Sequence, residues 1–162
     1  MNRLLYAALL CAGAVIATSS CSNPAQCDKP ADNKSTEMTM TTDMTAIAPE
    51  ELEAIRKPLD MYVKAAVEGD SNIARQAFAD GATMSHAEND SLYCLPIQAL
   101  YDYYDATGKH PASYEIADVS VGRDVAMVRI DSKFGDVSFC DMFNLVKAGG
   151  EWKIVSKIFS VK

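Results

Sequence analysis

Basic side chains are in short supply in this chain, and the shortage argues against two kinds of interaction. The 15 lysines and arginines are outnumbered by 22 aspartates and glutamates, which gives a formal net charge of −7 at pH 7. Nucleic-acid binding needs a basic surface that neutralises phosphates, so we expect no nucleic-acid partner. Electrostatic attraction to anionic lipid is disfavoured for the same reason, so membrane attachment would require an acyl anchor.

Cysteine is also sparse, and none of the five cysteines has the spacing of a metal ligand. There is no CxxC or CxxH motif, so we expect no metal site, and we expect no cofactor. Two of the five lie in the N-terminal segment discussed next. The remaining Cys27, Cys94 and Cys140 do not make a disulfide framework, although two of them could pair in an exported domain.

The N-terminal segment has an apolar run that is too short to cross a bilayer. Arg3 precedes this run, which covers residues 4–17 and, at about 14 residues, is typical of a signal-peptide core. Small residues then lead to Cys21, an arrangement that resembles the lipobox of bacterial lipoproteins. The resemblance implies cleavage before Cys21, a lipid on that cysteine, and a location at the bacterial cell envelope, facing the periplasm or the cell surface. The alternative is an ordinary cleaved signal with an incidental cysteine.

The lipoprotein interpretation predicts a change of location when Cys21 is replaced. We expect the wild-type protein in the membrane fraction and Cys21→Ala in the soluble exported fraction, because the acyl chain would supply the attachment. Membrane fractionation measures the distribution, and mass spectrometry of the N-terminus detects the lipid. A soluble wild-type protein with an unmodified N-terminus would contradict the prediction.

Composition divides the chain into a signal peptide over 1–20, a lipid-anchored tether over 21–47 and a folded domain over 48–162. The tether is rich in Ser, Thr, Asn, Asp, Lys and Pro and shows no apolar period. Such a segment cannot bury enough surface to offset the entropy of ordering. The remaining stretch has an ordinary length for one domain.

The first half of this domain is predicted to be mainly helical. Pro49 opens a helix that Gly69 ends, and Asp70 caps a second, short helix that reaches Phe78. The apolar stripe of the first helix contains Leu52, Ile55, Leu59, Tyr62 and Ala66. The other elements expected before residue 110 are one helix and two short strands, over 96–106, 82–87 and 91–95.

The last third of the chain is predicted to be an antiparallel meander. Gly122-Arg123, Gly135-Asp136 and Gly149-Gly150 are two-residue turns between strands. The four strands are expected over 113–121, 124–134, 137–147 and 151–161. Parity across the turns places these residues on one inner face: Ala117, Val119, Ala126, Val128, Ile130, Phe134, Phe139, Phe143, Leu145, Trp152, Ile154 and Ile158.

The inner face needs a cover, and the three helices are expected to provide it. Asp141 and Glu115 are predicted on this buried face, where a carboxylate needs hydrogen bonds or its proton, so we expect a raised pKa for Asp141. The opposite face also carries many apolar residues, which favours a partner and, in particular, a homodimer. Its predicted apolar members are Ile116, Val125, Met127, Met142, Val146, Val155 and Phe159.

The order of elements resembles the nuclear transport factor 2-like superfamily, which includes ketosteroid isomerases and polyketide cyclases of the SnoaL-like kind. The stretches Met61-Tyr62-Val63 and Phe139-Cys140-Asp141-Met142-Phe143 and the closing Gly150-Glu151-Trp152-Lys153-Ile154-Val155 are similar to the motifs of that superfamily. The closing pattern is similar to a lumazine-binding-like subgroup. The resemblance implies an α+β domain with a curved antiparallel sheet wrapped over three helices in a cone.

The same resemblance implies a site between the helices and the sheet. Tyr62 and Asp141 match the groups with which ketosteroid isomerases donate to a substrate oxygen, and His86 falls where those enzymes place a base. The side chains expected around a ligand are Tyr62, His86, Tyr101, Glu115, Asp141, Phe143 and Trp152. Each of the three catalytic candidates also has a structural interpretation, as a core tyrosine, a loop histidine or a carboxylate that bonds within the fold.

Three functions remain open from the sequence. The favoured one is binding of a small, largely apolar molecule in the pocket between helices and sheet, without catalysis. The second is an acid–base isomerase or dehydratase-like enzyme in which His86 is the base and Tyr62 and Asp141 are oxygen donors. The third is a protein-interaction module that uses the outer face of the sheet.

Overall fold

The computed structural model describes residues 46–162, which form one α+β domain. Three helices precede or interrupt the sheet: α1 over Pro49–Glu68, α2 over Ser71–Arg75 and α3 over Gln98–Thr107. Six strands follow the order β1 Phe78–Glu88, β2 Ser91–Pro96, β3 Ala112–Gly122, β4 Val125–Phe134, β5 Val137–Ala148 and β6 Glu151–Val161. The predicted signal peptide and lipidation site, Cys21, lie outside the described residues.

The helical predictions are confirmed with one change. Helix α1 buries Ile55, Leu59 and Tyr62 on its apolar stripe, and it ends at Gly69, which has a φ of +63°. Asp70 caps α2, since its side chain accepts a 2.9 Å hydrogen bond from the Asn72 amide. The change is that α2 ends at Arg75, and β1 starts at Phe78 instead of residue 82. None of the three helices described here is long and apolar enough to cross a membrane.

The strands form a single sheet in the order β2-β1-β6-β5-β4-β3. All neighbours are antiparallel except β1 and β6, which are parallel. The predicted turns at 135–136 and 149–150 are confirmed by the pairs Phe134↔Val137 and Ala148↔Glu151. The first turn lies one residue later than predicted, which shifts the pairing by two residues and preserves the faces.

A bulge in β6 reverses the predicted faces near its end. Leu145 pairs with Ile154, but Asn144 pairs with Ser156, so Val155 is an extra residue in β6. Beyond it, Lys157 is buried on the inner face, whereas Ile158, predicted inside, is 49% exposed. A β-bulge places two residues opposite one, and every later side chain therefore changes face.

A second bulge corrects the prediction for β3. Ile116 pairs with Ile130 and Asp118 pairs with Arg129, which leaves Ala117 as the extra residue. Ile116 therefore lies on the inner face with the fully buried Ile130, although the sequence predicted it outside. Glu115 and Ala117, both predicted inside, are exposed. Glu115 is thus not on the same face as Asp141.

The start of α1 is tied to the β5–β6 hairpin by Glu51. Its carboxylate accepts hydrogen bonds from Trp152 Nε1 at 2.8 Å and from Lys147 Nζ at 2.8 Å. The hydrogen bond from Lys147 is the main reason why the pKa of Glu51 is lowered. Trp152 is therefore a buried anchor between helix and sheet, and the core formed by α1 and the inner sheet face positions the site described next.

Candidate functional site

A buried ion pair lies at the centre of the inner sheet face. Lys157 Nζ is 2.6 Å from Asp141 Oδ1, and the two side chains are 4% and 0% exposed. The Ser132 hydroxyl donates to the other carboxylate oxygen, Oδ2. Asp141 therefore has a cation and a hydroxyl as partners, so its buried oxygens are not left without polar contacts.

Lys157 is enclosed by aromatic rings as well as by its counter-charge. Its Nζ lies 3.8 Å from the centroid of Phe159 and 5.7 Å from that of Tyr62, which are cation–π distances. Burial lowers the pKa of Lys157, and the adjacent Asp141 opposes that effect. An ammonium group has three donors, and Asp141 is its one carboxylate partner within residues 46–162.

Tyr62 brings α1 to this ion pair. Its ring lies 5.3 Å from each of Phe134 and Phe143, and its backbone carbonyl accepts a 3.2 Å hydrogen bond from the Tyr104 hydroxyl. Burial raises the pKa of Tyr62 well above its usual value, and nearby Asp141 adds to the effect. A tyrosine held in this way stays protonated near neutral pH and offers a hydroxyl, not an anion.

Seven half-buried aromatic side chains form a continuous chain of contacts on the same side of the sheet. Each ring centroid lies between 4.7 and 6.2 Å from the next. We call this set the aromatic rim: Tyr93, His86, Phe159, Phe139, Phe134, His110 and Tyr103. The rim runs from the edge strand β2 across the sheet to α3. Its member Phe159 covers the Lys157–Asp141 pair, since its ring contacts the Lys157 ammonium. Its rings present partly exposed apolar surface, unlike the fully covered core beneath them.

His86 is the one rim residue among the predicted catalytic groups. Its ring is stacked between Tyr93, at 5.1 Å and 14°, and Phe159, at 4.7 Å and 24°. Partial burial lowers its pKa, Lys157 lowers it further, and Glu88 acts in the opposite direction. Nδ1 is buried and has no hydrogen-bond partner in the part of the chain that the structure describes. The neutral ring therefore has an unused polar atom next to the ion pair.

The structure brings together four of the seven side chains expected around a ligand. Tyr62, Asp141 and Phe143 meet around Lys157, and His86 joins them through Phe159. The other three lie elsewhere. Glu115 is exposed on the outer face, and Tyr101 lies in a separate groove described below. Trp152 is seven residues from Phe159 along β6, or about 23 Å at the usual rise of a strand.

Sequence reasoning missed Lys157, Phe159 and Ser132. The sequence predicts Phe159 on the outer face, because nothing in the Trp152–Ile158 stretch marks the bulge at Val155, and it gives Lys157 no role. A signal for Lys157 was nevertheless present. A carboxylate in the middle of a buried strand needs a charged partner, and Lys157 is a lysine within an apolar neighbouring strand. Ser132 lies two residues from Ile130 on the predicted inner face, so parity alone could have identified it.

Comparisons with known proteins agree on one family. The family model described as "Putative lumazine-binding" matches residues 50–160. A nuclear transport factor 2-like protein of unknown function from Shewanella baltica is 34% identical, with a TM-score of 0.67 over 72% of this chain and 98% of that one. A similar protein from Methylobacillus flagellatus is 29% identical, with a TM-score of 0.65 over 72% of this chain and 96% of that one.

A more distant structure shares the fold alone. It is a ketosteroid isomerase-like protein from Erwinia carotovora, which is 19% identical, with a TM-score of 0.56 over 70% of this chain and 98% of that one. No curated protein matches this chain. The resemblance read from the closing motifs is thus confirmed at the level of family and fold.

Proposed function

Because this chain belongs to the lumazine-binding-like family of nuclear transport factor 2-like domains, we propose that it binds a small, largely apolar molecule between its helices and its sheet. The observation that carries the proposal is the aromatic rim, which lies over a buried Lys157–Asp141 pair. Ligand sites combine apolar and aromatic walls with a few polar groups that orient the ligand. The rim supplies the walls, and Lys157 supplies the polar group.

The arrangement favours a flat ligand with an oxygen acceptor. Stacked rings such as His86 and Phe159 offer their faces and edges to another planar group, which adds to the gain from burying apolar area. Lys157 can donate to a ligand oxygen while Asp141 keeps the ammonium in place.

Binding of 2-naphthoate, a planar probe with a carboxylate, tests the proposal. We expect backbone amide shifts of the rim residues in NMR spectra, and a loss of affinity of about tenfold in Phe159→Ala, because one stacking face is removed. Leu92→Ala is the control, since Leu92 is exposed on the edge strand and is not a rim residue. The proposal fails if the rim amides do not shift or if Phe159→Ala binds as well as the wild type.

A second variant tests the role of the ammonium. Lys157→Met combined with Asp141→Leu removes both charges and leaves neither one unpaired, so the fold should persist. We expect this double variant to lose most of its affinity for 2-naphthoate while it still binds naphthalene. Equal affinity for 2-naphthoate in the double variant would show that the carboxylate does not reach Lys157.

The alternative function is acid–base catalysis at the same site, with His86 as the base. Its lowered pKa and unpartnered Nδ1 favour this role at neutral pH. Lys157 would then donate to the substrate oxygen together with the Tyr62 hydroxyl, and Asp141 would hold the Lys157 ammonium in place. His86→Ala should abolish turnover of an enolisable ketone and leave its binding largely intact. Absence of turnover in the wild type would leave binding as the function.

We propose further that the outer sheet face joins two copies of the chain. The exposed apolar side chains on this face, which are 37% to 51% accessible, are Val125, Met127, Met142, Val146 and Ile158. Asp118 and Arg129 are exposed on the same face and are paired neighbours in the β3–β4 ladder. A face that holds both charges and an apolar centre can be complementary to itself across a two-fold axis.

The outer face predicts a specific effect of charge at Met127. Met127→Glu should yield a folded monomer at micromolar concentration, because two carboxylates would meet at an apolar interface. Sedimentation velocity measures the mass of each variant. Leu92→Glu is the control, since Leu92 is exposed on β2 and is not part of the apolar patch. A monomeric wild type would contradict the prediction.

The proposed location is the bacterial cell envelope, with the domain held at the membrane by a lipid on Cys21. The support is the sequence around that residue and the formal net charge of −7, which argues for an acyl anchor over electrostatic attraction. Cys27→Ala is the matched control for Cys21→Ala. It should remain with the membrane, whereas Cys21→Ala should not.

A further inference from the structure

A groove that is separate from the aromatic rim opens at the start of β1. Phe78 pairs with Ile154 and Thr83 pairs with Ser156, so the residues between them have no partner in β6. On the other edge the ladder with β2 begins at Thr83↔Pro96, and the Ala82 carbonyl accepts a 2.9 Å hydrogen bond from the Ile97 amide. Residues 79–81 therefore form a segment without a ladder partner on either edge. The groove has a volume of about 300 Å³, at the lower end of the range for ligand sites, and is therefore suited to a small molecule.

A positively charged group is held at one side of this groove. The Arg75 guanidinium lies 4.3 Å from the centroid of Tyr101, and its Nη1 donates to Gln98 Oε1 at 3.2 Å. Gln98 is itself oriented, since its Nε2 donates to Asp102 Oδ1 at 2.6 Å. A guanidinium has five N–H donors in a fixed plane, so this arrangement leaves donors for a carboxylate.

A negatively charged group lines the same groove. Asp80 belongs to the unpaired segment, and no ion pair joins it to Arg75 or to another cation within residues 46–162. Both charges nevertheless act on Tyr101, whose pKa is raised mainly by burial, lowered by Arg75 and raised by Asp80. The two opposite charges thus flank one groove without neutralising each other directly.

The remaining surface of the groove is apolar or bare backbone. Phe78, Pro96 and Ile97 supply apolar wall. Gly81, with a φ of +77°, has no atom within 4 Å of the position that a Cβ would occupy, so its backbone faces open space. A ligand can therefore approach the segment closely between the two charges.

We propose that this groove binds a free α-amino acid with an apolar side chain. The carboxylate of the ligand pairs with Arg75, its ammonium pairs with Asp80, and its side chain packs on Pro96 and Ile97. A ligand with both charges is favoured because an anion alone would meet Asp80 and a cation alone would meet Arg75. Each charge-assisted hydrogen bond is of the strong class, and a bidentate pair with arginine also fixes the orientation.

Titration with L-leucine tests the assignment, with two derivatives that each lack one charge. We expect L-leucine to shift the NMR amide signals of Gly81 and Gln98, and N-acetyl-L-leucine and L-leucinamide to bind at least about tenfold more weakly. Absence of shifts up to about 10 mM L-leucine overturns the proposal. Equal affinity for all three compounds overturns it too, because the groove would then not recognise both the ammonium and the carboxylate of the ligand.

Two variants connect each charge of the ligand to a residue. Asp80→Asn should abolish the preference for L-leucine over N-acetyl-L-leucine, and Arg75→Gln should abolish the preference over L-leucinamide. Arg56→Gln is the control, since Arg56 lies on α1 and does not line the groove. Both groove residues are exposed, so circular dichroism should be unchanged. If both groove variants bind L-leucine as tightly as the wild-type protein does, the site lies elsewhere and the proposal is wrong.

Discussion

Asp141→Ala is expected to lower the free energy of unfolding by about 3–5 kcal/mol, because it would leave the Lys157 ammonium buried without a counter-charge. Both side chains are almost completely covered, and their closest atoms are 2.6 Å apart. When one partner of such a pair is removed, the remaining charge stays buried, and its desolvation is no longer compensated. Urea denaturation followed by circular dichroism measures the loss.

The chain contains a matched control for this experiment. Asp131 and Lys162 form an ion pair of similar length, 2.7 Å, but each side chain is 45% exposed. Asp131→Ala should therefore destabilise the domain much less than Asp141→Ala, since water already screens the pair. The double variant Asp141→Leu with Lys157→Met should be near neutral or more stable than the wild type. If Asp141→Ala lowers the free energy of unfolding no more than Asp131→Ala does, water reaches the Lys157–Asp141 pair. The proposed ligand site would then lack a polar group shielded from water.

Gly69→Ala is expected to destabilise the domain by about 2–5 kcal/mol. Gly69 ends α1 with a φ of +63°, which an L-residue with a Cβ adopts only at a cost. A Cβ at this position would also lie 2.5 Å from the backbone carbon of Gly108 and 2.5 Å from the nitrogen of Lys109. Backbone atoms cannot rotate away as a flexible side chain can, so the end of α3 would have to move away from α1. Thermal and urea unfolding measure the loss.

Gly149→Ala separates the two parts of that cost. Gly149 has a similar φ of +60°, but no atom lies within 4 Å of its added Cβ. Its replacement should therefore cost only the conformational penalty, about 1–2 kcal/mol. The difference between the two variants measures the close approach of the α1 and α3 ends. Equal losses would mean that the Gly108 backbone gives way easily and that the contact is not a constraint.

The meander shows how far parity can carry a prediction. The pairs Ile130↔Asp141 and Val128↔Phe143 follow from the turn at Gly135-Asp136, and both are found in the structure. Parity is reliable there because every residue between the turn and these pairs is a regular member of the ladder. Asp141 was therefore correctly placed on the buried face from the sequence alone.

The composition of the site was less predictable because it depends on the two bulges. Extra residues at Val155 and Ala117 reverse the faces beyond them, so Lys157 and Phe159 turn inward while Glu115 turns outward. Neither bulge contains a glycine or a proline from which it could be predicted. The partial burial of Phe159 and the pairing of Asp141 with Lys157 stabilise the domain only when β6 is packed against its neighbours. A local sequence pattern therefore cannot predict them.

The amino-acid sequence by itself determined the family, the α+β class, the presence of three helices, two of the three meander turns and the burial of Tyr62 and Asp141. These features depend on local periodicity, on glycine and proline at turns and caps, and on motifs near in sequence. Only the tertiary structure decided that Lys157 is the partner of Asp141, that seven rings form a rim, and that Arg75 and Asp80 flank a groove. Each of these joins residues from elements that are distant in sequence or separated by an irregular stretch of strand. Such contacts depend on the packing of the whole domain. A bulge is tolerated when the side chains that it buries stabilise the domain by more than the disrupted ladder destabilises it.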